Sequence, residues 1–288
     1  MSRETVIRVG PGDSTLRGRL LGARLREKRE AAGLTGGDVA RQIRRAPSSL
    51  SRWESGDQIP RPGDLLYMLQ MYEVAESERD ALMRLAEEAH EHDQTSEVVS
   101  AAVADYDWLQ GRAWKIETFQ DAVVPHLLQT ADYAREILKA WDPSASREHI
   151  ERVLRARMAR QLRLAGDDAV KLCAIVSEAA LRQAIGGPEA MRAQLRHLLD
   201  RAALPNVELR VVTASAGAHP GLAGPFTIMR FHDAPDLVRV PTRGGDIYFE
   251  DAEPFVQALR RIKRGALPHK QSVAMIAARS KQTSWETT

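Results

Sequence analysis

Residues 39–56 read Val-Ala-Arg-Gln-Ile-Arg-Arg-Ala-Pro-Ser-Ser-Leu-Ser-Arg-Trp-Glu-Ser-Gly, and their spacing predicts two short helices joined by a tight turn. Val39, Ala40 and Ile43 fall on one helical face. Pro47 suits the first turn of the next helix, where a missing N–H leaves no helical bond unmade. Leu50 and Trp53, three apart, share the inner side of that helix, and Gly56 ends it. Ala40 is small enough for the two helices to cross closely, with Ile43, Leu50 and Trp53 filling the wedge between them. Ser48, Ser49, Ser51 and Arg52 then sit partly or wholly on the outer face.

Working outward, Leu21, Leu25 and Ala32 predict a preceding helix that stops at Gly33, and Thr35 is placed to cap the helix holding Val39. Leu65, Leu66, Leu69 and Tyr72 predict a fourth helix, and residues 75–89 a fifth with Leu82, Leu85 and Ala89 inward. The expectation is an all-α, five-helix domain over residues 16–92, behind a lead-in over 1–15 that carries Gly10-Pro11-Gly12. A polar linker is expected over 93–105, an α+β domain over 106–280 and a tail over 281–288. Within the second domain, residues 123–140, 150–164, 188–203, 255–263 and 273–278 read as helices. Residues 171–176, 207–212, 225–231, 237–240 and 246–249 read as strands. Strands grouped between helices, without regular alternation, predict a mostly antiparallel sheet.

The composition excludes several classes. Of 288 residues, 43% are hydrophobic and 28% charged, too apolar for a disordered chain. The longest apolar runs, such as 65–69, fall far short of the roughly 20 residues a membrane helix needs. The first residues lack an apolar secretory core, so the chain reads as cytoplasmic, with no membrane partner. The single cysteine, Cys173, makes no internal disulfide or multi-cysteine zinc site, and in its apolar strand it reads as a small core residue. The net charge of +2 conceals a division. Residues 16–62 hold eleven basic against five acidic side chains, a net +6, whereas 63–100 hold two against ten, a net −8. A compact basic unit calls for a polyanion or an acidic partner.

Residues 21–35, Leu-Gly-Ala-Arg-Leu-Arg-Glu-Lys-Arg-Glu-Ala-Ala-Gly-Leu-Thr, together with Leu-Ser-Arg-Trp-Glu-Ser-Gly at 50–56, resemble the phage-repressor/Cro type of helix-turn-helix. The frame that carries the resemblance is Arg29…Gly33-Leu34-Thr35…Glu54-x-Gly56. It implies binding to an operator in double-stranded DNA, with the third helix in the major groove; one short helix per copy gives modest affinity, so a homodimer on two half-sites is expected. It also implies a structural ion pair between Arg29 and Glu54. The chain departs from the family at the turn, where Arg44-Arg45 replace the usual glycine and apolar residue. Ala46 replaces the usual Ser or Thr cap, and Gly36 replaces a glutamine that often touches a phosphate. By the same alignment the base-reading positions fall on Pro47, Ser48 and Arg52. Because Pro47 has no donor, readout is expected from Arg52 and Ser48, with Ser49, Ser51 and Ser55 on the same helix. Arg44, Arg45 and Arg61 are expected to meet phosphates or the minor groove.

Val124-Pro125-His126-Leu127-Leu128-Gln129-Thr130-Ala131-Asp132-Tyr133-Ala134 is similar to the P-G-L-L-Q-T-x-x-Y-A stretch of a domain found behind such units in high-GC Gram-positive bacteria. His126 stands where glycine is usual. Further matches are Ala218-His219-Pro220-Gly221-Leu222-Ala223-Gly224-Pro225-Phe226 and Tyr248-Phe249-Glu250-Asp251. The resemblance is to WhiJ-like, antitoxin-like transcriptional regulators, often encoded beside a very small protein. It implies a second domain that binds a small protein, a metabolite or another copy of the chain. An antitoxin-like module that neutralises a small partner, with DNA binding as autoregulation, is the alternative function.

The segment with His219, Pro220 and Gly221 reads either as a ligand or partner loop or, more simply, as a tight connection into the Phe226 strand. His90-Glu91-His92-Asp93 reads as a solvated helix end rather than a metal site. Glu178 and Asp251 sit where helices open, not as paired catalytic carboxylates. No Gly-rich phosphate loop, G-x-S-x-G or metal-ligand helix pair is present in the sequence, so neither enzyme activity nor a cofactor is expected.

Overall fold

The computed structural model describes residues 16–91, 99–100, 106–232, 234–243 and 245–281. The lead-in expected over 1–15 lies outside them, as do all but Val99, Ser100 and Lys281 of the expected linker and tail. The chain divides into two compact units between residues 104 and 105.

The first unit consists of α1 (Leu16–Ala31), α2 (Gly36–Gln42), α3 (Pro47–Ser55), α4 (Pro62–Met71) and α5 (Glu76–Glu91), with a two-residue strand β1 (Val99–Ser100) beyond. Leu21 and Leu25 of α1 are fully buried, together with Val39, Ala40, Leu65, Met68 and Leu69. Ala32, expected on the same face, is exposed past the end of α1, and Gly33 turns the chain at φ 71°. Leu66 is also exposed, because the buried stripe of α4 runs through Leu65, Met68 and Leu69. Two glycines let the helices close up. A Cβ on Gly22 of α1 would stand 2.4 Å from the Trp53 carbonyl oxygen, and one on Gly56 would stand 2.5 Å from the Arg19 nitrogen. Gly56 also holds φ 82° as the left-handed cap of α3, a conformation glycine adopts without steric cost.

The second unit runs α6 (Tyr106–Arg112), β2 (Lys115–Gln120), α7 (Ala131–Trp141), α8 (Arg147–Arg160), β3 (Lys171–Ser177), α9 (Glu178–Arg182) and α10 (Gly187–Ala202). It continues with β4 (Val207–Val212), β5 (Phe226–Arg230), β6 (Leu237–Thr242), β7 (Gly245–Phe249), α11 (Glu253–Gly265) and α12 (His269–Ser280). Strands β2 to β7 form a mixed sheet in the order β7-β6-β5-β2-β3-β4. This corrects the expectation of a mostly antiparallel sheet. β2 pairs in parallel with β3, and β3 with β4, each across helical connections of the length parallel strands need. β2–β5, β5–β6 and β6–β7 are antiparallel. The parallel half depends on β2, a strand the sequence pattern did not show. The core on one face gathers Phe119, Ile175, Val212, Phe226, Ile228 and Val238 against Val256, Leu259 and Ile262 of α11.

The helix expected over 123–140 is also corrected. Residues His126–Leu128 form a single 3-10 turn after Pro125, and α7 starts only after Thr130, whose hydroxyl accepts from the Tyr133 N–H at 3.4 Å. The non-helical backbone is satisfied by side chains instead, with Gln129 Nε2 donating to the Val124 carbonyl at 2.7 Å and Gln194 Nε2 to the Leu128 carbonyl at 2.6 Å. Likewise α8 ends at Arg160, and Gln161–Leu164 tighten into a 3-10 turn. Among the described residues, no helix is long and apolar enough to cross a membrane.

Candidate nucleic-acid interface

The candidate surface is built from α2, the turn after it and α3. Thr35 caps α2, accepting from the Asp38 N–H at 3.2 Å. Arg44 takes the left-handed conformation at φ 54°, so an arginine occupies the position where the helix-turn-helix family usually has glycine. The Arg45 N–H then reaches back to the Ala40 carbonyl at 2.9 Å and closes the turn. Ala46 contributes no side-chain cap to α3, and Pro47 fills its first position. Leu50 and Trp53 are buried at 2% and 5% exposure, whereas Ile43 is only half-buried.

With that anchor set, Pro47, Ser48, Ser51, Arg52 and Ser55 are exposed and Ser49 is half-buried. Not all are available to a ligand. Ser55 Oγ lies 2.6 Å from Asp57 Oδ2 and 3.1 Å from the Arg52 carbonyl oxygen, closing the end of its own helix. Arg45 makes a two-pronged contact with Asp64 of α4, its Nη2 donating to Oδ2 at 2.9 Å and its Nε to Oδ1 at 3.2 Å. Among the described residues, Arg44, Arg52 and Arg61 have no ion-pair partner, and they present three exposed cations around Ser48 and Ser51. Sequence reasoning passed over Arg41. It stands on α2 with 79% of its side chain exposed and only a 3.4 Å contact to Asp38, and its place in the basic run 41–45 was the available signal.

Behind α3 lies a lock. Arg29 Nε donates to Glu54 Oε1 at 2.7 Å and Nη2 to Oε2 at 3.0 Å, while Nη1 reaches the Leu34 carbonyl at 2.8 Å. Each of the two side chains is 12% exposed. The hydrogen bonds to Glu54 raise the Arg29 pKa above its ordinary value. Beside the pair, burial and the Glu54 charge push the Tyr72 phenol up, and among the described residues its buried hydroxyl has no hydrogen-bond partner. One salt bridge thus joins α1, the α1–α2 turn and the end of α3.

In the second unit, His219 Nδ1 accepts from the Gly221 N–H at 3.2 Å, and its ring meets Phe119 edge-on at 5.7 Å. Gly221 is buried and Pro220 half-buried, within a short 3-10 turn that leads towards β5. These contacts hold the loop on the sheet. His90 sits 3.5 Å from the Pro60 carbonyl, and its expected neighbours His92 and Asp93 lie outside the described residues.

The first unit is therefore of the helix-turn-helix class, and residues 20–82 match a helix-turn-helix domain family. Residues 103–278, more than half of the chain, match the family described as a domain of unknown function (DUF5753). The protein belongs to that family, with its helix-turn-helix in front. No curated protein and no solved structure matches the chain.

Proposed function

We propose that this protein is a sequence-specific DNA-binding transcriptional regulator of the cytoplasm, not an enzyme, which reads the major groove with α3. The carrying observation is the division of α3 itself: Leu50 and Trp53 face the core while Ser48, Ser51 and Arg52 face outward beside Arg44 and Arg61. A helix so presented fits a groove about 12 Å wide. One nine-residue helix offers few base contacts, so the working form is a two-fold dimer on half-sites spaced by whole turns of DNA. The second unit senses a partner protein or small ligand.

Sequencing genomic fragments recovered with the protein gives the operator and its half-site spacing. On that operator, Arg52→Ala loses roughly 1–3 kcal/mol of discrimination against random DNA. Arg61→Ala weakens both kinds of DNA alike and lowers the salt slope by about one. Equal loss of specificity in both variants refutes this assignment. A stoichiometric small protein that co-purifies and releases the operator assigns the second unit to partner neutralisation, the antitoxin-like reading.

A further inference from the structure

The second unit encloses a cavity of about 190 Å³ that none of the site residues read from the sequence enters. Its floor is one face of β2, with Ile116, Thr118 and Gln120 in line, and its walls come from α6, the 126–128 turn and β6. Three rings follow one another along one side. Tyr106 meets His126 edge-on at 5.9 Å, and His126 meets Trp141 at 6.1 Å. Trp141, at the end of α7, lines the cavity while 57% exposed, so it stands at the rim.

Several polar groups of this wall are committed to one another. Gln120 Nε2 donates to Thr118 Oγ1 at 3.0 Å, and Thr118 Oγ1 lies 2.9 Å from Thr227 Oγ1. The Arg239 guanidinium lies 4.1 Å over the Tyr106 ring and donates through Nε to Asp246 at 2.6 Å. Gln110 Nε2 donates to the Tyr106 hydroxyl at 2.8 Å. Gln110 Oε1, on a side chain only 4% exposed, has no hydrogen-bond partner among the described residues. A buried acceptor left unmet is costly, and Gln110 belongs to the cavity lining, so a donor on an occupant would relieve it.

Size and charge narrow the occupant. A cavity of about 150 Å³ accepts a benzene ring, so this one holds a single ring with a small substituent, below the range for drug-sized ligands. Burial, and after it the Arg157, Arg239 and Arg160 charges, hold the His126 imidazole well below its ordinary pKa. With the Arg239 guanidinium itself in the lining, a cation is unwelcome there. We propose that this cavity binds a small planar molecule of the phenol class, one ring in size, which donates a hydrogen bond to Gln110 Oε1 and carries no positive charge. This deepens, and rests on, the reading of the second unit as the sensing half of a regulator.

The test titrates the full chain with phenol, fluorobenzene (the same shape without a donor) and benzylammonium (a cation), by calorimetry and by the fluorescence change that Trp141→Phe abolishes. Phenol is expected to saturate with a Kd on the order of 1 mM, about 0.6 kcal/mol per heavy atom. Fluorobenzene binds roughly five- to tenfold more weakly, as one lost hydrogen bond predicts, and benzylammonium does not bind. Gln110→Met brings phenol to within about twofold of fluorobenzene, the difference between the two being that hydrogen bond. Phenol that fails to saturate at about ten times the expected Kd overturns the site. So does phenol that binds no better than fluorobenzene in the parent chain. Saturable phenol binding that leaves affinity for the recovered operator unchanged supports the site and refutes the sensing role of the second unit.

Discussion

Replacing Glu54 by alanine removes the acceptor of two Arg29 hydrogen bonds, at 2.7 and 3.0 Å, from a pair whose side chains are each 12% exposed. Exposed ion pairs contribute about 0–1 kcal/mol, whereas removing one partner of a buried pair costs about 3–5 kcal/mol by leaving a charge unmet. Here Arg29 keeps the Leu34 carbonyl at 2.8 Å and a Glu30 carboxylate at 3.5 Å, so the stranded guanidinium is partly compensated. The expected loss is about 2–3 kcal/mol, or roughly 10–20 °C in the melting of a unit of this size. Glu54→Gln keeps an oxygen for Arg29 but loses the charge, and falls between parent and alanine variant. Urea and thermal unfolding of the full chain, followed by circular dichroism, measure the loss in the transition of the first unit. Arg52→Ala is the control: as an exposed side chain without an ion-pair partner among the described residues, it stays within about 0.5 kcal/mol. A Glu54→Ala protein that also melts within about 0.5 kcal/mol of the parent refutes the lock, and with it the idea that this pair holds α3 in its reading position.

Two further outcomes follow from single contacts. Gly22→Ala puts a methyl 2.4 Å from the Trp53 carbonyl oxygen and 2.7 Å from that of Glu54. Both obstacles are backbone, so α1 and α3 must part, at a cost of about 3 kcal/mol in the same unfolding assay. Melting unchanged by the methyl would show that the two helices do not approach this closely. In the second unit, burial pushes the Glu208 carboxyl up, but hydrogen bonds from Lys263 and Arg210 and their charges outweigh it and hold its pKa down at about 2. A pKa below the unfolded value of about 4.3 makes Glu208 stabilising above that pH, with the contribution lost as pH falls towards the folded value. The melting difference between the parent and Glu208→Gln is therefore full at neutral pH, shrinks below about pH 4.3 and vanishes near pH 2. A difference that does not vary with pH removes that account.

The helix-turn-helix was legible because each of its signals is local. Leu50, Trp53, the first-turn Pro47 and the stop at Gly56 all fall within ten residues, and each carries its meaning alone. The sheet was not legible, because β2 is Lys-Ile-Glu-Thr-Phe-Gln, four polar residues in six, yet lies mid-sheet between β3 and β5. Its polar groups pair partly within the strand, Lys115 with Glu117 and Gln120 with Thr118, and partly with residues more than a hundred positions away. Glu117 takes a hydrogen bond from Arg230 at 2.7 Å, and Thr118 lies against Thr227. Residues 123–140 misled in the opposite sense. Val124, Leu127 and Leu128 have helical spacing, but Pro125 and the capping Thr130 carried the better signal. The cavity was hidden for the same reason as β2, since Gln110, Thr118 and Arg239 meet only once the sheet has closed.

The placement of β2 also dictates an order of events as the chain leaves the ribosome. The contacts among helices α1 to α5 all fall within residues 16–91, so the first unit can assemble while synthesis of the second continues. β2 cannot: its neighbour on one side begins at Lys171 and on the other at Phe226. At translation rates of about 5–20 residues per second, the segment from Gln120 to Arg230 keeps that strand waiting for roughly 5–20 s. Its four polar side chains make it a poor template for other chains in that interval, and so the residues that concealed it from pattern reading are the ones that keep it soluble until its neighbours arrive.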